Sequence, residues 1–349
     1  MSTTAIKADE TAIGKPEGSV GRVRKLHRYG QAIRLVETRA LDRGAWLAIR
    51  RGGIGGSDAA AAAGLHPYQS ALELWMDKTG RQSESESEPG DPKSPAYWGQ
   101  LLEPTVAEAY AAITGRKVRR VNAILQHPDH SWMIANLDRE VVGDEAVQIL
   151  EVKTTGVHEA WRWRDGVPEH VQLQVQHQLA VTGMQAEDVA VLIGGQNLEI
   201  YRIERDEAVI ERLIALEQAF WACVEADTPP QPDGSDSAGR ALREIYPESQ
   251  PGIVRDFQDD AALGQAFAEL QRVRDDLGQL HRREDALKQR IQAAMGEAEK
   301  AIFSTGTVTW KRSASSKRVD TQSLATNYPK LVAAYEKEVP GSRRFVIRD

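Results

Sequence analysis

Asp138, Glu151 and Lys153 lie within "ANLDREVVGDEAVQILEVKTT", residues 135 to 155. The apolar run from Val147 to Val152 reads as a strand, and Glu151 and Lys153 are two residues apart on it. Side chains alternate along a strand, so both point to one face. A turn at "VVGDEA" would fold Asp138, 13 residues before Glu151, back beside it. Glu103, on the helix before these strands, could reach the same place. Two arrangements fit: a solvated Glu–Lys pair on a hairpin face, or a metal site. Three carboxylates around one point repel strongly at low dielectric and require a cation. An oxygen-only donor set suits Mg²⁺ or Mn²⁺. Lys153 cannot ligate a metal, but it can orient a water or stabilise charge on a phosphate. Metal-assisted phosphodiester hydrolysis is the chemistry that such a set would serve.

The rest of the chain narrows the class. With 349 residues, 41% hydrophobic and 27% charged, it can bury a full core and hold more than one unit. A net charge of −7 does not announce a nucleic-acid binder. Basic residues nevertheless gather at 20 to 51 and in "GRKVRR", 115 to 120, so a basic face on an acidic protein is expected. Cys223 is the one cysteine, which excludes a disulfide framework, a cysteine zinc site and an iron–sulfur cluster within one chain. No apolar run approaches the ~20 residues of a membrane span. The first residues lack the apolar core of a signal peptide.

The elements that would position the three residues follow from pattern. A helix is expected over 38–49, leading into "RRGGIGGSDAAAAAGL", where Ser57 or Asp58 can cap an alanine-rich helix. "SALELWMDKTG" and "YWGQLLEPTVAEAYAAITG" read as helices closed by glycine. Strands follow near 117–126, 132–141 and 146–153, then a helix at 167–183, strands at 187–194 and 197–204, and a helix through "DEAVIERLIALEQAFWACVEA". This order implies an α+β fold, a mixed central sheet flanked by helices. The expected domains are a disordered tail at 1–20, a main domain at 21–228, a linker at 229–258, a long helix or helical hairpin at 259–297, and a small α/β module at 298–349. Apolar positions 263, 267, 270, 273, 277, 280, 287 and 291 give the third segment coiled-coil character. In the last module, "TGTVTWKR" and "RRFVIRD" read as strands around the helix "TQSLATNYPKLVAAYEKE".

"ILEVKTT" after "ANLDREV" resembles the core of the PD-(D/E)XK nucleases. More narrowly, the chain resembles the YqaJ-type viral recombinases, relatives of lambda exonuclease with a RecB-like fold. Ordered blocks over roughly 40 to 225 carry this: "WLAIRRGGIGGSDAAAAAGLHPYQSALELWMDKTG", "GQLLEPTVAEAYAAITG", "ANLDREV", "ILEVKTT", "HVQLQVQHQLAVTG" and "ERDEAVIERLIALEQAFW". The resemblance implies a restriction-endonuclease-like core with Asp138 and Glu151 as metal carboxylates and the Val152 carbonyl as a further ligand. It implies Lys153 as the catalytic lysine, Glu103 as a supporting acid and candidate fourth ligand, and Gln174 as the glutamine completing the motif. Arg50 and Ser57 match the grip on a terminal 5′-phosphate. Asn136 stands where the lambda enzyme has a serine, which weakens the expectation for a 5′-phosphate.

The function so implied is a Mg²⁺-dependent exonuclease, with Mn²⁺ able to substitute, acting 5′-to-3′ on linear duplex DNA and leaving 3′ single-stranded tails. Its partners would be DNA ends, a phage single-strand annealing protein and further copies of itself, as a ring or through the long helix. No membrane is implied; the place of action would be the cytoplasm of a bacterium carrying the phage or prophage. A non-catalytic DNA-end-binding or assembly protein, or an endonuclease or resolvase on the same core, are the alternatives. Other residues invite plainer readings. Among Gln172, Gln174, Gln176 and Gln178, surface polarity accounts for all but Gln174. His177 is structural, His66 sits in a turn, and Trp161 and Trp163 are packing residues. "SESESE" is a solvated loop.

Overall fold

A computed structural model of the chain describes residues 29–81, 91–338 and 341–347. The expected tail at 1–20 and the "SESESE" loop lie outside these. The chain divides into two units, 1–246 and 247–349.

The first unit runs β1 (Ile33–Glu37), α1 (Arg43–Arg51), α2 (Ala59–Ala62), α3 (Ala71–Lys78), α4 (Pro95–Thr114), β2 (Val118–Arg120), β3 (Ala123–Gln126), β4 (Ile134–Asn136), β5 (Arg139–Val141), β6 (Ile149–Thr155), α5 (Glu169–Thr182), β7 (Ala186–Ile193), β8 (Asn197–Glu204), α6 (Glu207–Glu225) and α7 (Asp236–Ile245). Its main sheet has the order β2-β5-β6-β7-β8, with only the β6–β7 pair parallel. That parallel pair is joined by α5, as parallel strands need a crossover. A second sheet, β1-β3-β4, is antiparallel. The mixed sheet flanked by helices is the expected fold class.

Alternation along β6 divides the core. Ile149 packs with Val171, Val175 and Leu179 of α5, whereas Leu150 and Val152 pack with Val106, Ala107 and Tyr110 of α4. Each such fully buried apolar side chain contributes about 1.5–3 kcal/mol relative to exposure. A one-residue slip of β6 would exchange these faces, so burial on both sides fixes where Glu151 and Lys153 point. Helix starts follow capping chemistry: Asp42 Oδ1 accepts from Ala45 N at 2.8 Å and Ser70 Oγ from Glu73 N at 3.1 Å.

Several elements depart from expectation. The strand expected over 132–141 is two strands, β4 and β5, belonging to different sheets. The strand expected over 117–126 is likewise divided into β2 and β3. The helix expected over 38–49 starts at Arg43, and β1 precedes it, pairing with β3. The expected linker at 229–258 is corrected too. Ser235 caps α7, and Ser237, Ala238 and Ala241 are buried, with Ser237 Oγ accepting from Ser70 N at 2.8 Å. Small residues let this helix approach α3 closely, and the same small residues gave it the composition of a linker.

In the second unit, α8 (Ala261–Met295) is one unbroken 35-residue helix, not a hairpin. A hairpin of β9 (Lys300–Phe303) and β10 (Gly306–Thr309) follows. Then come α9 (Thr321–Asn327) and α10 (Pro329–Ala333), divided at Pro329, which disfavours helical backbone in the residue before it. Residues 341–347 form no strand, contrary to the reading of "RRFVIRD". Among the described residues, no helix is long and apolar enough to cross a membrane.

Candidate active site

Asp138 sits where the chain leaves β4 in one sheet and enters β5 in the other. β5 begins at Arg139, paired with Leu150, so β6 runs on past the end of its neighbour. The side chain of Asp138 fills the gap, its Oδ2 accepting from Val152 N at 2.9 Å. A residue's N–H and C=O point to the same edge of an antiparallel strand. The Val152 carbonyl therefore faces the edge at which Asp138 lies.

On the α5 face of β6, Glu151 and Lys153 meet two glutamines of the helix. Gln174 Nε2 donates to Glu151 Oε1 at 2.6 Å and Gln178 Nε2 to Glu151 Oε2 at 3.0 Å. Lys153 Nζ donates to Glu151 Oε1 and to Gln174 Oε1, each at 2.8 Å. Gln174 and Gln178 share a helix face, four residues apart. The network fixes the Lys153 ammonium between a carboxylate and an amide oxygen.

The charge around it is unbalanced. Burial, then the charge of Glu151, pushes the Asp138 carboxyl up to about 8. Glu187 on β7 is wholly buried, and neither of its oxygens has a partner among the described residues. Burial, followed by the charges of Glu151 and Asp138, raises it well above the carboxylate range. Burial alone would lower Lys153, but Glu151 outweighs it and keeps the ammonium charged.

A second cluster lies beside the same glutamines of α5. Arg50 Nη2 donates to Ser57 Oγ at 2.9 Å and to Asp58 Oδ1 at 3.1 Å. Lys78 Nζ, on α3, reaches Asp58 Oδ2 at 2.7 Å and the Arg50 carbonyl at 3.1 Å. Burial would raise Asp58, but Lys78 and Arg50 overcome it and bring the carboxyl down to about 2. The Arg50 guanidinium also lies over the Trp46 ring, 5.0 Å from its centre. Gly56 explains the approach to α5: a Cβ there would come within 3.2 Å of Gln178 Cγ and 3.3 Å of Gln174 Cγ.

Two clefts open on these groups. One, of about 540 Å³, is lined by Arg39, Trp46, Glu103, Arg120, Asn136 and Asp138 among others. The other, of about 310 Å³, is lined by Ser57, His66, Lys153, Arg162, His170 and Gln174 among others. The His66 and His170 rings meet edge-on at 5.4 Å. Burial, then His66 and Lys153, holds His170 down at about 4.

The expected residues are thus brought together in two groups, Asp138–Glu151–Lys153–Gln174 with the Val152 backbone, and Arg50–Ser57. Glu103 shares a cleft with Asp138, but its carboxylate is taken by an ion pair with Arg139, whose Nη1 also donates to the Asp138 carbonyl at 2.7 Å. As a ligand, Glu103 would have to leave that arginine. Asn136 lines the Asp138 cleft and not the one lined by Ser57. Among the described residues, no three His, Cys, Asp or Glu side chains converge to hold a metal. Asp138, Glu151 and the Val152 carbonyl are the oxygen donors that could hold a hard divalent cation here, and one would relieve the burial and like charge that push Asp138 up.

Sequence reasoning missed several participants. Gln176 and Gln178 are buried, not surface polar groups, and Gln178 holds Glu151. The reason lies in the fold: α5 packs against strands of both sheets, so Val171, Val175 and Leu179 do not exhaust its contacts. Lys78, Arg139 and His170 carried no local pattern. His177 is structural as expected, held between Glu217 Oε1 at 2.8 Å and the Ile134 carbonyl at 2.9 Å. His66 is the turn residue expected, its Nδ1 accepting from Gln69 N at 3.0 Å.

Residues 45–185 match the model of the YqaJ-like viral recombinase domain. Among solved structures, the alkaline exonuclease LHK-Exo of Laribacter hongkongensis is 25% identical, with a TM-score of 0.43, over 52% of this chain and 92% of that one. Its complex with dAMP is 26% identical, with the same score and coverage. The uncharacterized protein YqaJ of Bacillus subtilis (strain 168) is 35% identical over 319 residues, 90% of this chain and 97% of that protein. With that identity along nearly its whole length, the chain belongs to the YqaJ family.

Proposed function

We propose that this chain is a metal-dependent deoxyribonuclease, an exonuclease that degrades linear duplex DNA from its 5′ ends. The observation that carries it is the convergence of Asp138, Glu151, Lys153 and Gln174 at the end of β6. Asp138, Glu151 and the Val152 carbonyl would hold Mg²⁺ or Mn²⁺, which supplies Lewis-acid polarisation of the phosphate and a more acidic water. The chain's own part is positioning. Glu151 and Gln174 hold the Lys153 ammonium where it can orient the attacking water and meet negative charge as it develops on phosphorus. Gln174 and Gln178 fix Glu151 so that it cannot swing onto Lys153 alone.

The Arg50–Ser57 pair supports a grip on a terminal phosphate. A guanidinium already bonded to a hydroxyl offers two kinds of donor to an oxyanion. Arg39 and Arg120, on the cleft that holds Asp138, supply positive charge for the backbone of an approaching strand. Neutral His66 and His170 line the cleft beside Lys153. The biological setting that fits is recombination in a bacterial cell, the 3′ tails passing to a phage-type annealing protein.

Linear duplex DNA labelled at one 5′ end, incubated with Mg²⁺ beside an EDTA control and Lys153→Ala, tests this. Release of labelled mononucleotide, dependent on Mg²⁺ and lost in the variant, is expected. Internal cuts that need the same residues would make it an endonuclease. A folded, DNA-binding protein that cuts nothing with Mg²⁺ or Mn²⁺ would sink the nuclease reading in favour of an end-binding protein.

A further inference from the structure

Helix α8 carries an apolar seam that no described residue of its own unit covers. Its 35 residues span about 52 Å at 1.5 Å per residue. Leu263, Phe267, Val273, Leu277, Leu280 and Leu287 are 43–59% exposed, and Met295 is the only buried residue of the helix. Written as heptads, position a is Leu263, Leu270, Leu277, Glu284 and Ile291, and position d is Ala266, Val273, Leu280, Leu287 and Ala294. Apart from Glu284 at one a position, the core positions stay apolar through all five heptads, the repeat of a two-stranded coiled coil. Apolar grooves border both ends of the seam, one with Phe257, Leu263, Phe267 and Phe345, the other with Leu287, Ile291, Met295 and Ile302.

The flanking charges say what lies on this seam. At position g the order is Glu269, Asp276, Arg283, Arg290: two acids, then two bases. In an antiparallel pair, g faces g of the other helix. Centred between 276 and 283, Glu269 meets Arg290 of the second copy and Asp276 meets its Arg283, each twice by symmetry. The same alignment sets a against d: Leu270 on Leu287, Leu277 on Leu280, Glu284 on Val273, and at the ends Leu263 on Ala294 and Ile291 on Ala266, large against small. A parallel pair would do worse. It would set Glu284 against Glu284 in the core and Arg283 against Lys288, leaving Glu269 with Arg274 as its one clear ion pair. Exposed pairs of this kind are individually weak, so they choose orientation and register while the apolar seam supplies affinity. A charge order that matches itself only when reversed is the signature of a homodimer, since an unrelated partner would impose no such symmetry. The geometry points to an antiparallel homodimer of the chain, joined through α8 about a two-fold axis between residues 276 and 283.

Sedimentation of the full-length protein from sub-micromolar to tens of micromolar should give the mass of two chains, and Leu277→Lys with Leu280→Lys should give one. A monomer throughout that range, or an assembly that survives the double lysine substitution, overturns the proposal. Orientation has its own readout that does not require disrupting the helix. In a Cys223→Ser background, Leu270→Cys and Leu287→Cys are made separately, then mixed and oxidised. Antiparallel pairing puts each opposite the other and about 25 Å from its own copy, beyond disulfide reach, so cross-links should form only in the mixture. A self-cross-link in either protein alone overturns the antiparallel arrangement. Glu269→Arg should raise the dimer Kd several-fold, and adding Arg290→Glu should restore it. No restoration would overturn the register.

Discussion

Asp138 and Asp58 are two buried aspartates of one unit; burial pushes both carboxyls up, and their neighbours then send them in opposite directions. Asp58 is met by Lys78 at 2.7 Å and Arg50 at 3.1 Å and falls to about 2. Asp138 has a single backbone N–H at 2.9 Å, with Glu151 and Glu103 adding negative charge, and rises to about 8. The fold therefore completes one cluster from its own side chains and leaves the other short of positive charge. A completed cluster holds elements together, here α1, α3 and the Gly56–Asp58 turn. An incomplete one is where the proposed cation would supply the missing charge.

The sharpest way to break this contrast is at Lys153. Lys153→Ala should lower the rate of DNA hydrolysis by about 10²–10⁴-fold, the range for a positioned proton-transfer or charge-stabilising group, at a temperature where circular dichroism shows the variant folded. Single-turnover digestion at saturating protein measures it. A variant that cuts at a normal rate would remove the site from the chemistry altogether.

Next comes the balanced cluster. Asp58→Ala leaves Lys78 buried beside Arg50 without its counter-charge, and breaking a buried pair from one side costs about 3–5 kcal/mol. Urea unfolding should show that loss. The wild-type contribution of Asp58 should be present above pH 4 and decline as the pH falls through about 2, because its folded pKa is depressed. A loss below 1 kcal/mol would mean that solvent, not Lys78, balances Asp58.

The two clusters differ in how far the sequence reveals them. Glu151 and Lys153 are legible from alternation in a short apolar strand, and the order of blocks places Asp138 and Gln174 with them. Two things are not legible. Asp138 does not end a strand of the sheet that holds Glu151; it bridges two sheets, and pairing between sheets leaves no local trace. Lys78 lies 20 residues from Asp58, inside a helix whose last turn is a usual place for a lysine. Its charge reads as solvated until the fold brings Lys78 onto Asp58 and the Arg50 carbonyl. The β1 strand and α7 escape for a related reason: both are short, and their apolar residues make sense only against a neighbour distant in sequence.

A smaller effect sharpens the other half of the contrast. If Asp138 lacks a cation in the metal-free protein, removing its charge should stabilise the fold. Its folded pKa is raised from 3.8 to about 8, so its contribution is full below pH 4 and is lost as the pH rises through 8. In EDTA, Asp138→Asn should therefore raise the melting temperature at pH 9, by about 2–4 °C for each kcal/mol relieved in a unit of this size, and change little at pH 5. Mg²⁺ should protect the wild type more at pH 8 than at pH 6, because the cation and the proton compete for one carboxylate. Equal protection at both values would place the cation elsewhere.

The smallest effect separates the two roles that Arg50 combines. It pairs with Asp58 and also reaches Ser57 at 2.9 Å, so its own substitution would confuse stability with binding. Ser57→Ala avoids this, because the Arg50–Asp58 pair remains and one hydroxyl is lost from the proposed phosphate grip. A hydrogen bond to a charged group contributes about 1.5–3 kcal/mol, which corresponds to roughly 10- to 150-fold in affinity for the end. Competition between 5′-phosphorylated and 5′-hydroxyl duplexes should show that loss only for the phosphorylated end, with stability unchanged. If both ends weaken together, Ser57 serves the backbone of the strand and the terminal phosphate is held elsewhere. If neither changes, the hydroxyl does no more than orient Arg50, and the second cluster is structural throughout.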